Sequence, residues 1–360
     1  MTSKSFLPTS SVLEARYQAQ KIAFGPVIFQ CVRIARDNGL LKAIEAAGEG
    51  GIEPAEAARQ AGVSEYAAKV VCEPAVTAGV IDLVDGRYVL TMVGHLLLND
   101  EMTRANMDFN DLVCYEPLMH LEASLKTGKP EGLKVFGSWP TVYEGLSQLP
   151  PQVQEAWFRF DHLYSDSAFP HVAKIIAEHQ PQSLLDVGGN TGRWARFLTA
   201  RVPGMQVTIA DLPQQLAMAQ QTIEAAGLSD RINYHPVNLL DVESELPTGF
   251  DAVWLSQFLS CFSEAEVVQI LRKAARGLNA KGRIFILDNF WDRQPQDIAA
   301  YCIAHTTPYF CCVANGNSRM YTFADLEKLI HAAELKVEQV YENLGLGHSL
   351  VKLSLPTNQP

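Results

Sequence analysis

The sequence predicts an α/β chain in two parts, a mainly helical N-terminal domain and a C-terminal Rossmann-like domain with a mostly parallel, seven-stranded sheet. Two observations predict the second part. After Pro181, five short apolar runs rich in β-formers follow one another: SLLDVGG, QVTIADL, INYHPVNLL, FDAVWLSQFL and GRIFILDNF. Helix-like segments such as RWARFLTARV, QQLAMAQQTIEAAG and EAEVVQILRKAARGL separate them, and strand alternating with helix specifies a parallel sheet covered on both faces. A final helix, FADLEKLIHAAEL, and two more strand candidates, KVEQVYEN and HSLVKLSL, predict an antiparallel hairpin at the end. A third observation predicts the first part: from residue 12 to about 150, and again over 141–180, apolar residues recur at helical spacing. The boundary is expected between 1–165 and 166–360.

Within the first part, VIFQCVRIARDNGLLKAIEAAG places Ile28, Cys31, Val32, Ala35 and Leu40 near one helical stripe. Gly39 and Gly48 stand where helix C-caps prefer glycine. Next come a helix, a turn at Ala61-Gly62-Val63, a second helix and a hairpin turning at Asp85-Gly86, which together read as a winged helix. Such a module can bind DNA. Its second helix, SEYAAKVVCEPAVTAG, carries one Lys and two Glu, whereas a groove-reading helix needs several Arg, Lys, Asn or Gln on its outer face. The expectation is a dimerisation module that packs against a partner subunit, with no nucleic-acid partner. A winged-helix regulator with a vestigial catalytic domain is the competing class.

The formal net charge of −11 opposes phosphate-backbone binding. No run of eighteen apolar residues exists, so no membrane partner is expected. The N-terminus lacks the apolar core and small-residue site of a signal peptide, and the expected location is the cytoplasm. None of the seven cysteines forms a C-x-x-C pair, so no metal site is expected and the thiols are read as reduced.

The sharpest motif is Leu184-Leu185-Asp186-Val187-Gly188-Gly189-Asn190-Thr191-Gly192, an apolar strand ending in an acid, then a Gly-rich turn and a helix from about Arg193. Glycine allows the tight turn and a close approach of backbone to ligand. One βαβ unit later, Asp211 ends QVTIAD, where a carboxylate accepts ribose hydroxyls of a nucleoside. These features fit a dinucleotide or S-adenosyl-L-methionine. The acid before the first Gly favours the latter, because a dinucleotide fold usually has an apolar residue there. Asn238 and Leu239, after the third strand, are candidates to hold an adenine, and a plain turn is the competing reading.

DVGGNTG, the ADLP of residues 210–213, the DNF after strand five and the terminal GHS resemble the small-molecule O-methyltransferases of plant caffeate type, whose bacterial relatives act on polyketides, phenazines and aromatic amino acids. The resemblance spans nearly the whole chain. It implies S-adenosyl-L-methionine as cofactor, S-adenosyl-L-homocysteine as product, and a homodimer with interlocked N-terminal domains. It also implies a cofactor site of Asp186, Gly188, Gly189, Asp211, Leu212, Asn238, Leu239, Ser256 and Gln257. Asn190 departs from the family's third Gly, a position where Asn tolerates left-handed dihedrals.

Methyl transfer is an in-line displacement, and a neutral phenol with a pKa near ~10 is a poor nucleophile without a base. In the plant-type members that base is a His after the fourth strand. The corresponding segment here, WLSQFLSCFSEAE, has Ser260 and Cys261. Candidates for a relocated base or orienting group are His162, His305, Tyr309 and Asp288, with His348 the weakest. Trp157, Phe158, Phe160, Tyr164, Trp291, Tyr301, Tyr309 and Phe310 suggest an aromatic acceptor pocket, although their spacing is also ordinary core spacing. The expected acceptor is a small phenol. Ring C-methylation of a tyrosine-like molecule in natural-product biosynthesis stands beside phenolic O-methylation.

Overall fold

The computed structural model describes residues 11–356, and the chain divides into two compact units between Asp108 and Phe109. In the first unit, helices Val12–Ala23, Gly25–Asp37, Leu40–Ala46, Pro54–Ala61 and Glu65–Thr77 lead into a hairpin of β1 (Ile81–Val84) and β2 (Arg87–Leu90). Asp85 and Gly86 turn the hairpin with φ of 48° and 76°, the paired left-handed conformations that match strand twist. Gly62 caps its helix in the left-handed conformation. Leu40, Leu41, Ile44 and Ile81 are fully buried at the centre. The helix Glu65–Thr77 is capped by Ser64 and exposes Tyr66 and Val70, while Lys69 pairs with Glu65 at 2.7 Å. Helix Val12–Ala23 buries nothing, and Val12, Leu13 and Ile22 stand in the open.

In the second unit, β3 (Ser183–Val187), β4 (Gln206–Asp211), β5 (Ile232–Pro236), β6 (Phe250–Ser256), β7 (Leu278–Asp288), β8 (Lys336–Leu344) and β9 (His348–Ser354) form one sheet in the order β5-β4-β3-β6-β7-β9-β8. The pairs joining β3 to β7 are parallel, and β9 runs antiparallel to both neighbours. All seven strands coincide with strand candidates in the sequence. Period-two alternation divides their side chains between two cores. Leu184, Val207, Ile209, Trp254 and Phe285 face one, and Leu185, Val187, Val253, Leu255 and Ile284 face the other. The connection reverses direction between β3 and β6, which opens a crevice at the carboxyl ends of the strands.

The contact boundary lies well before the expected residue 165. Residues 109–160 share an apolar cluster with Tyr309–Ala314: Phe109, Val113, Val153 and Trp157 pack with Tyr309, Phe310 and Val313. The helix Pro151–Asp166 therefore belongs to the sheet-bearing unit. Its partner helix, Asp297–Tyr309, contains Pro308, which lacks a backbone N–H, and widens into a π-helical turn over Phe310–Ala314.

Candidate functional site

The crevice contains a cavity of about 280 Å³, lined by the carboxyl ends of the strands on one side and by the two aromatic helices on the other. On the strand side, the chain turns out of β3 through Gly188 and Gly192, both at φ 74°, with Asn190 at φ 50° between them. Asn190 thus adopts the left-handed conformation in which Asn is better tolerated than most residues. A Cβ on Gly188 would lie 2.2 Å from the Phe258 ring, and one on Gly189 would lie 2.7 Å from Asp186 Oδ2. Gly188 is required by space and by dihedral, and Gly189 by space alone.

Asp186 is buried, and its Oδ2 has no hydrogen-bond partner. Burial, then the charge of Asp211, pushes its carboxyl up to about 8. Asp211 accepts the Asn190 N–H on Oδ2 at 2.8 Å and the Leu212 N–H on Oδ1 at 2.7 Å. Burial raises it to about 6, against those two hydrogen bonds. Leu212 leads into a helix with Pro213 at its first position, as Pro prefers. Asn238 lines the cavity and also accepts the Leu240 N–H at 3.0 Å, so the turn reading and the lining reading hold together.

At the ends of β6 and β7 the cavity meets Ser256, Gln257, Ser260, Cys261, Asp288 and Asn289. Gln257 has φ 47°, and its N–H donates to Leu287 O at 2.8 Å. His348 does not line the cavity. It is fully buried behind it, with Nε2 2.9 Å from Gln257 Oε1 and 3.0 Å from Asn289 Nδ2, and burial lowers it to about 4. It is a support for two cavity amides and cannot reach an acceptor. Asp288 accepts the Asn289 N–H at 2.8 Å and is raised to about 7 by burial. The thiol of Cys261 is pushed up to about 12, chiefly by burial, and is hydrogen-bonded with Tyr143.

On the helical side, His162 lines the cavity, stacks on Phe158 at 5.5 Å and is lowered to about 4, first by burial. Tyr309 also lines it, but its hydroxyl accepts the Trp157 indole N–H at 2.6 Å and burial raises it far above the phenol range. His305 faces the other way. Cavity-side residues of its helix are Cys302, Ile303, Thr306 and Tyr309, whereas Ile298, Tyr301 and His305 occupy the exposed face at helical spacing. The His305 ring stacks on Tyr301 and its Nδ1 lies 2.7 Å from Tyr301 O. His305 is therefore not a base candidate in this unit, and Tyr301 is not a wall. Phe158 and Trp291 also stay outside the lining, which Phe109 and Tyr143 enter instead. Asp161, unremarked beside His162 in the sequence, lines the cavity too, and burial raises it to about 7. No helix is long and apolar enough to cross a membrane, and no metal-binding cluster exists among the described residues.

The O-methyltransferase domain family matches residues 120–334, and the Dimerisation2-like domain matches residues 16–88. The L-tyrosine C(3)-methyltransferase of Streptomyces lavendulae is 26% identical over 321 residues, 88% of this chain and 86% of that one. Among solved structures, the S-adenosylmethionine-dependent methyltransferase SibL superimposes with a TM-score of 0.68 at 24% identity, covering 93% of this chain and 98% of SibL. The O-methyltransferase NcsB1 of neocarzinostatin biosynthesis, in complex with S-adenosyl-L-homocysteine and 1,4-dihydroxy-2-naphthoic acid, does so at 0.69 and 20% identity, with 91% and 96% covered. With the sheet order, the Gly-rich turn and the strand-end acids in place, the match over most of the chain makes the identification: this protein belongs to the O-methyltransferase domain family and is an S-adenosylmethionine-dependent methyltransferase.

Proposed function

We propose that the enzyme methylates a small phenolic acceptor of natural-product type, with the ring carbon of a tyrosine-like phenol as the leading target. The observation that carries this reading is the missing imidazole after β6. Ser260 and Cys261 occupy the segment where the plant-type resemblance expects an imidazole, and the Cys261 thiol is held protonated by burial. The tyrosine C(3)-methyltransferase relative supports carbon as the target.

The residues of the strand side fit the cofactor. Asp211 presents a carboxylate at a strand end for the ribose hydroxyls, Gly188 and Gly189 let the turn pack closely on Phe258 and Asp186 at the cavity, and the unpartnered Asp186 Oδ2 is an acceptor in want of a donor. Leu212, Asn238 and Leu239 would flank the base, with Ser256 and Gln257 beside them. When bound, the cofactor supplies an electrophilic methyl. The chain's own task is to hold the acceptor in line and exclude water. A phenol hydrogen-bonded through its oxygen is nucleophilic at the ortho carbon. Transfer there forms a C–C bond, breaks the S–CH₃ bond and passes the ring proton to a cavity carboxylate such as Asp288.

O-methylation is the second reading, favoured by one observation, the imidazole of His162 at the cavity wall. Incubation with methyl-labelled cofactor and a panel of phenols, followed by NMR of the products, decides between them. An aryl-methyl signal is expected, and an aryl-methoxy signal overturns the carbon reading. His162→Ala should then leave turnover within a few fold, since loss of a general base costs ~10²-fold or more.

The Dimerisation2-like domain and the open apolar residues Val12, Leu13 and Ile22 support a homodimer. Light scattering should give about twice 39.7 kDa. A cytoplasmic enzyme without a nucleic-acid partner is part of the same proposal, and a salt-sensitive shift of random duplex DNA would overturn the latter.

A further inference from the structure

The acceptor side of the cavity carries an acid, Asp161, whose answering charge, that of Arg193, is already committed to another acid. Asp161 lies on the helix Pro151–Asp166 among aromatic rings: Phe109 stacks on Phe160 at 4.0 Å, Phe160 meets Tyr164 at 5.0 Å, and Phe109 meets Tyr309 at 5.1 Å. The charge of its carboxyl is felt by Tyr143, Cys261 and Tyr309, and Arg193 offsets it in part. Arg193 is the one permanently cationic side chain in the lining, and it is tied to Asp166 by a two-point ion pair, with Nε 3.2 Å from Oδ1. Asp186, Asp211 and Asp288 line the same cavity.

From this arrangement we infer that the acceptor carries a protonated amine close to its aromatic ring, and that Asp161 is the carboxylate that receives it, inside the wall formed by Phe109, Phe160, Tyr164 and Tyr309. The inference rests on the phenolic-acceptor reading above and narrows it to phenolic amines and amino acids. An ammonium group gains from both partners, a charge-assisted hydrogen bond to the carboxylate and the negative faces of the rings. An acceptor carboxylate set against this wall would find four carboxyl groups and no free cation to pair with, so its desolvation would go uncompensated. The elevated titration of Asp161 agrees, because a counter-ion from the acceptor is what would restore its ionised form.

The test uses the full-length enzyme with S-adenosylmethionine and four acceptors: tyramine, tyrosine, p-cresol and 3-(4-hydroxyphenyl)propanoate. Tyramine should exceed the propanoate in kcat/KM by roughly 10- to 100-fold, the range of a charged hydrogen bond, with tyrosine, which bears both an ammonium and a carboxylate, between them. Asp161→Asn should collapse that ratio through KM, and the KM of tyramine in the unaltered enzyme should fall as pH rises through about 7. Calorimetric binding of tyramine to the S-adenosylhomocysteine complex gives a readout independent of transfer. If tyramine binds there in an Asp161-dependent way but no phenol is methylated, the acceptor reading fails while the amine site stands. Equal rates for propanoate and tyramine overturn the inference. So does an Asp161→Asn variant that slows all four acceptors alike with loss of the acid limb of the pH profile, which would make Asp161 a base. A variant that weakens S-adenosylhomocysteine as much as tyramine assigns the carboxyl to the cofactor and overturns it too.

Discussion

The two sides of the cavity are built by different means. The strand side comes from consecutive turns at the carboxyl edge of one sheet, and backbone makes much of it: left-handed Gly188, Asn190 and Gly192, and the N–H groups that fix Asp211. The helical side comes from side chains on two helices far apart in sequence, joined by the Trp157–Tyr309 hydrogen bond and the Phe109–Phe160 stack. A backbone-built site tolerates almost no change of residue, because dihedral and close approach both demand glycine. A side-chain wall can be rebuilt one residue at a time, which lets one fold accept many substrates.

If that contrast is right, the largest loss from a single substitution should fall on the strand side. Asp211→Ala removes a buried carboxylate held by two backbone N–H groups, and should weaken S-adenosylhomocysteine by about 2–4 kcal/mol, roughly 30- to 1,000-fold. Calorimetric titration reads it, and a loss under threefold would mean that Asp211 does not touch the nucleoside.

A second effect comes from behind the cavity. Buried His348 binds protons only near pH 4 when folded, against 6.5 ordinarily, so the unfolded chain takes up a proton first as pH falls. Its contribution is neutral above 6.5 and destabilises increasingly below, by up to about 3 kcal/mol near pH 4. The raised carboxyls of Asp161, Asp186, Asp211 and Asp288 act in the opposite sense, favouring the folded state at low pH and ceasing to do so as pH rises through their elevated values. The histidine term is therefore read as a difference: denaturant midpoints of His348→Gln and the unaltered enzyme should converge as pH drops from 7 to 5. Midpoints that stay parallel would show His348 titrating normally.

The smallest effect belongs to the helical side. Tyr309→Phe leaves the Trp157 indole N–H without its acceptor and should cost about 1–3 kcal/mol, a few degrees in Tm. Cofactor affinity should be unmoved, since Tyr309 stands on the other wall, and a matching loss in S-adenosylhomocysteine binding would erase the distinction between the two sides.

Sequence alone determined the seven strands, the Gly-rich turn, the acids at Asp186 and Asp211, and the hairpin at Asp85-Gly86, because each depends on local spacing: period-two burial, a left-handed dihedral, an acid at a strand end. It also marked Ser260 and Cys261 as the place where a base is missing. Only the tertiary structure decided which helix faces the cavity presents. His162 and His305 are equally plausible as letters, but the phase of the helix Asp297–Tyr309 turns His305 outward, and the packing of Pro151–Asp166 brings Asp161 to the wall beside His162. His348 stood out only through the terminal GHS, and the return of β9 beside β7 makes it the support of Gln257 and Asn289. The physical reason is common to all three. Helical phase and long-range pairing are set by burial against partners distant in the sequence, and no local pattern records which partner that will be.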